Sequence, residues 1–269
     1  MGRRRREGES LAIPADDLED LRYAKDLLEY PSLAARLTSL LGTPIEKAFK
    51  LLPGRWSHIV SQVTQSVIGT ALRVAVATLT DRGPGRSWDG AHKVLVTVTG
   101  GVGGAFGLAA LPVELPISTT IMLRSIGDIA RSEGERIRLP EGMLACLEVF
   151  ALGGRTRSDD AAEVGYFAVR AALARAVSEA AQYLAERGLA QEGAPIIVRF
   201  ISQVASRFGV VVSEKVAAQA IPVLGAGGGA IINLLFIEHF QDMARGHFIV
   251  RRLERTYGAE VVRAEYERL

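Results

Sequence analysis

The run Phe236 to His247 gathers residue types that often do chemistry: Glu238, His239, Asp242 and His247. On a helix, positions three and four apart share a side, so His239 with Asp242, and Glu238 with Asp242, present neighbouring donors suited to holding a divalent metal or relaying a proton. Adding Glu148 gives the candidate set for a hydrolase or metal-dependent enzyme: Glu148, His239, Asp242 and His247. The pattern stops short of a recognised centre. A zincin needs His-Glu-x-x-His and a di-iron bundle needs Glu-x-x-His pairs, and neither is present. No metal and no other cofactor is expected, because ion pairing with Arg245 or with an arginine from elsewhere accounts for these carboxylates.

Other motifs fail for equally physical reasons. No serine stands in Gly-x-Ser-x-Gly, and Cys146, flanked by Ala145 and Leu147, reads as a buried small apolar residue. Gly100-Gly101-Val102-Gly103-Gly104 lacks the Gly-Lys-Ser/Thr ending that completes a phosphate cradle. Glu148, Arg170 and Glu179 are charges set among apolar or alanine-rich neighbours, which suits buried structural partners.

The elements that must position these groups read as helices throughout. Leu18, Leu21, Ala24 and Leu28 mark a helix that ends by Pro31; Ser32 caps the next, and Gly42 closes it. Thr43-Pro44-Ile45-Glu46 predicts a capping box opening a third helix, and Ile59 to Val74 marks one long amphipathic helix. Ser118 is expected to start a helix after Pro112 and Pro116, and Pro140 another that stops at Gly153-Gly154. Ser158 with Asp159, Asp160 and Glu163 predicts a helix start that runs to Arg187, before Gly188. Pro195 opens a further helix, Val210-Val211-Val212 has the composition of a short strand but no strand nearby to pair with, and a long helix reaches Arg255 before Gly258.

Two long stretches, Val94 to Leu123 and Val216 to Ile237, are apolar, glycine-rich and almost free of charge. Both reach the ~20 residues needed to cross a bilayer. Gly100 with Gly104, Gly103 with Gly107, and Gly225 with Gly229 lie four apart, making smooth faces that let another backbone approach. Pro112 and Pro116 are expected to break the first stretch, so paired helical hairpins are favoured over simple spans. Gly100, Gly103, Gly104, Phe106, Gly107, Gly225, Gly229, Ile232 and Phe236 are the expected contacts for lipid or an apolar ligand. Glu114, Arg124 and Asn233 are the expected buried polar groups, with Arg124 the candidate partner of Glu114.

Composition narrows the field. A formal charge of +2 on 269 residues gives no electrostatic footprint for nucleic acid. A lone cysteine permits no internal disulfide and fits a reducing compartment. Arg3 to Arg6 lack a following apolar run, so residues 1–15 read as a basic disordered tail and 16–269 as one domain.

Leu111-Pro112-Val113-Glu114-Leu115-Pro116, the run Met122 to Arg131, and Cys146 to Gly154 together resemble the bacterial EcsC family. Arg207-Phe208-Gly209, Ser213-Glu214-Lys215 and His239 to His247 are similar to it too, so the resemblance covers roughly residues 16 to 269. It implies a protein whose gene family is named for proximity to an ABC-type transporter, with no agreed catalytic residues to carry over. Some relatives bear a peptidase label, which no protease constellation here supports. The expectation is therefore an all-α, single multi-helix bundle with two glycine-rich apolar hairpins near its centre. Its expected role is non-enzymatic: cytoplasmic, peripheral to the inner membrane or holding a lipid-like ligand, and accessory to a transporter. A hydrolase and a soluble interaction scaffold are the alternatives.

Overall fold

Ser32 begins the second helix as the sequence predicts, its hydroxyl accepting the Ala35 amide at 3.3 Å, and Gly42 ends it in the left-handed region at φ 61°. The computed structural model describes residues 13–29, 32–42, 44–52, 54–78, 111–154, 165–188, 194–221 and 225–269. Among them the chain forms α1 (Ala15–Glu29), α2 (Leu33–Leu41), α3 (Ile45–Phe49), α4 (Trp56–Thr78) and α5 (Leu111–Ser132). Then come α6 (Pro140–Leu152), α7 (Tyr166–Arg187), α8 (Pro195–Gln219), α9 (Gly225–Tyr257) and α10 (Ala259–Arg268). These are the elements of an all-α bundle, and no strand occurs among the described residues.

Three boundaries differ from expectation. At α3 the predicted cap Thr43 lies outside the described residues; Pro44 precedes the helix instead of opening it, and Thr38 Oγ1 accepts the Ile45 amide at 3.3 Å. α5 does not wait for Ser118 but begins at Leu111 and runs through both prolines. Pro116 forfeits a single backbone hydrogen bond, which the burial of Leu115, Ser118 and Thr119 around it outweighs, so it does not stop the helix. The valine triplet is helical inside α8, because Val211 and Val212 are wholly needed in the core. Packing overrides the β-preference of a branched side chain there.

α5 and α9 lie side by side and run parallel. Gln241 donates to Ser125 Oγ at 2.7 Å, and further along α9 Arg251 reaches Glu135, just past the end of α5, at 2.9 Å. α8 instead turns back along α9, with the Phe208 ring tilted against Phe236 and edge-on to Phe240. Hence the described chain resumes at Leu111 and at Gly225 on one end of the bundle, directly after most of the first glycine-rich stretch and within the second. α8 and α9 thus run antiparallel on either side of the second stretch; residues 222–224 of it, and residues 94–110 of the first, lie outside the described residues. So are residues 1–12 of the expected tail and the expected helix start at 158–163.

Phe150, Phe208, Phe236 and Phe240 make the centre of the main core, with ring centroids 5.1 Å apart for Phe150 and Phe208. A smaller cluster of Leu21, Ala24, Tyr166, Val250, Leu253, Val262 and Tyr266 fastens α1 and α10 to the far end of α9. α1 comes so close to α9 that a Cβ on Gly246 would stand 2.6 Å from Leu28 Cγ and 2.9 Å from the Ala24 carbonyl oxygen.

Candidate functional site

α6 is buried almost all round, from Gly142 to Ala151, so a charge on it needs a special setting. Glu148 is 5% exposed and lines an open cleft of about 790 Å³ between α6, α7, α9 and α10. Burial raises its pKa to about 6, against the pull of Arg170 and Arg251. Such a carboxyl changes charge far closer to neutrality than an exposed one.

Beside it lies His247, with no exposure. Its Nε2 stands 4.0 Å from Glu148 Oε2, beyond hydrogen-bond reach. Its Nδ1 is 2.8 Å from the Tyr166 hydroxyl. Burial, reinforced by Arg170 and Arg251, holds the imidazole well below its usual pKa and therefore neutral. Burial likewise keeps the Tyr166 hydroxyl protonated.

Two forked ion pairs frame this group. Arg170 grips Glu254 with bonds of 2.7 and 3.0 Å, its guanidinium over the Tyr166 ring. Arg251 grips Glu135 at 2.9 and 3.0 Å, and Arg255 reaches the same carboxylate at 2.5 Å. Bidentate geometry fixes both guanidiniums in place. Among the described residues no hydrogen bond reaches the Glu148 carboxylate itself.

The four candidates for catalysis separate into two places. Glu148 and His247 meet, as above. His239 sits eight positions before His247 on α9, about 12 Å along the axis, with Nε2 3.1 Å from the Gly153 carbonyl. Asp242 is engaged by Arg36 at 2.8 Å and by Arg245 at 3.2 Å. Among the described residues no three His, Cys, Asp or Glu side chains converge to hold a metal ion. The expectation of one cleft ringed by all four is therefore not met.

The apolar end carries its own buried pair. Lys215 Nζ donates to Glu114 Oε1 at 2.5 Å, and the ammonium lies 4.7 Å from the Phe236 ring centre. Lys215, and not Arg124, is the partner of Glu114. Arg124 points out of the bundle and is exposed, while the neighbouring Asp128 pairs with Arg131. Asn233 is fully buried, as expected. Ile232 and Phe236 pack inward, and the apolar side chain that this part of α9 turns outward is Ile231, 46% exposed. Gly229 is buried and Gly225 is the first residue of α9; Gly100, Gly103, Gly104, Phe106 and Gly107 lie outside the described residues.

The model of the EcsC protein family matches residues 18–253. The chain belongs to the EcsC family. No curated protein and no solved structure matches it. In this EcsC chain the match takes in both buried sites, the Glu114 and Lys215 pair and the Glu148 and His247 group. The roles of Lys215, Tyr166, Arg251 and Glu135 were not legible in the sequence. A lysine inside an apolar run, Lys215 before Val216-Ala217-Ala218, was the available signal for the first, since an ammonium there demands a carboxylate.

Proposed function

We propose that this EcsC-family protein is a non-enzymatic cytoplasmic factor. In this reading it contacts hydrocarbon chains, at the surface of the inner membrane or in a bound lipid-like molecule, through the apolar end of its bundle, and serves an ABC-type transporter. The observation that carries this reading is α8: 25 residues long, mean hydropathy 1.5 over its most apolar window, and only 39% of that window buried. An apolar helix that leaves this much of itself uncovered offers side chains that can meet hydrocarbon. Val113 at 68% exposed, Ile117 at 44% and Ile231 at 46% add apolar side chains where α5 and α9 begin. Their positions within the two glycine-rich stretches support contact by the end of the bundle rather than by its sides. Peripheral contact needs only one apolar face and a modest buried area.

Flotation of the purified protein with liposomes of inner-membrane composition, together with mass spectrometry for carried lipid, tests the reading. Co-migration with liposomes, or a lipid that survives purification, is the expected result. A protein that stays wholly soluble without detergent, ignores liposomes and carries no lipid overturns it.

A further inference from the structure

The cleft at Glu148 is a second site, distinct from the apolar end: Asn233 and Arg251 are eighteen positions apart on α9, about 27 Å along its axis. Its floor is one face of α7, where Ala171, Ala174, Ser178, Ala181 and Ala185 succeed each other at three- and four-residue steps. That face runs for about 20 Å, and small side chains leave it smooth. Its volume of about 790 Å³ falls within the range of pockets that hold small organic ligands. Glu148 stands at one end, and Glu141, two turns earlier on α6, lies along the same wall.

Charge decides what fits. Three guanidiniums line the cleft, but each is matched: Arg170 by Glu254, Arg251 by Glu135 and Arg263 by Glu267. Glu148, Glu141 and Glu260 also line it, and among the described residues none of the three has an ion-pair partner beyond the distant, neutral His247. Glu148 is the telling one. A carboxylate 5% exposed and without a hydrogen bond is costly unless something completes it. The group that does so must donate hydrogen bonds and carry positive charge, and the group behind it must be slim and apolar enough to lie along alanine.

We infer that this cleft binds an aliphatic ammonium ligand, its charged nitrogen donating to Glu148 and its methylene chain lying on the alanine face of α7. Arg170 and Arg251 each share their charge with a carboxylate, Glu254 and Glu135, which weakens the repulsion that the ammonium meets. A ligand with a second ammonium would extend toward Glu141.

Isothermal titration of the full chain with n-hexylammonium, 1,6-hexanediammonium, hexanoate and 1-hexanol at pH 7.5 tests this. The ammonium compounds are expected to bind saturably, and hexanoate and hexanol not to. Glu148→Gln should weaken the ammonium compounds at least about tenfold, the scale of a lost charged hydrogen bond. Ala174→Leu, at an exposed position of the floor, should block the chain while leaving the circular dichroism spectrum unchanged. Tighter binding of the diammonium identifies a polyamine-like ligand, and tighter binding of the monoammonium an amine-headed amphiphile. No saturable binding of either ammonium, equal binding of hexanol, or full binding by Glu148→Gln in a folded variant overturns the inference.

Discussion

Lys215 Nζ and Glu114 Oε1 are 2.5 Å apart inside the bundle, with side-chain exposures of 0% and 4%, and they tie α8 to the first turn of α5. Desolvation lowers the Lys215 pKa and the adjacent carboxylate opposes that shift, so each charge stays tolerable only while the other is present. Lys215→Met alone strands a buried carboxylate and is expected to cost about 3–5 kcal/mol in urea unfolding. The double change Lys215→Met with Glu114→Leu should recover most of that loss, since two apolar groups leave no charge to satisfy. Equal losses in the single and double variants would refute the pairing as the source of the penalty.

Gly246 permits the close approach of α1 to α9. Gly246→Ala raises helix propensity by about 1 kcal/mol, yet its methyl group would stand 2.9 Å from the Ala24 carbonyl oxygen, a backbone atom that can move only with its helix. The net expectation is a loss of about 1–3 kcal/mol, as for other overpacked sites. Thermal unfolding followed by circular dichroism gives the sign directly.

Burial raises the Glu148 pKa from 4.5 to about 6. Between those values the folded chain holds a proton that the unfolded chain has released, so this group's contribution to stability falls as pH rises through that window and stays low above it. Burial is the largest cause; Arg170 and Arg251 pull the value down, Glu254 pushes it up, and the neutral His247 faces the group at 4.0 Å. Glu148→Gln removes the penalty: it should stabilise the protein by up to about 2 kcal/mol at pH 8 and by nothing at pH 4. Denaturant titrations of both proteins at the two pH values measure the difference. A pH-independent effect would show that Glu148 does not titrate in this way.

Val113 and Ile117 lie one helical turn apart on the exposed side of α5. Val113→Asp with Ile117→Asp should leave stability within about 0.5 kcal/mol, as surface changes usually do. The same variant should lose most of its flotation with liposomes, because each charge must then be drawn toward hydrocarbon. Unchanged flotation would move the membrane contact elsewhere.

Much of this protein was determined by its sequence alone. Helix-period apolar residues, Ser32 and Gly42 at the ends of α2, Pro140 and Pro195 at helix starts, and Gly258 after α9 are local signals, and each acts through the backbone within one turn. Family membership was legible for a similar reason, since it rests on runs of residue types. Tertiary structure decided what local signals cannot carry. Whether Pro116 breaks α5, and whether the valines of α8 form strand or helix, depended on the core that surrounds them. The partner of Glu114 was 101 positions away and not the nearby Arg124, because a helix turns neighbours in sequence toward opposite sides. Glu148 met His247 and not His239 for the same geometric reason: two histidines on one helix point where their angular positions send them, and only packing determines what stands there.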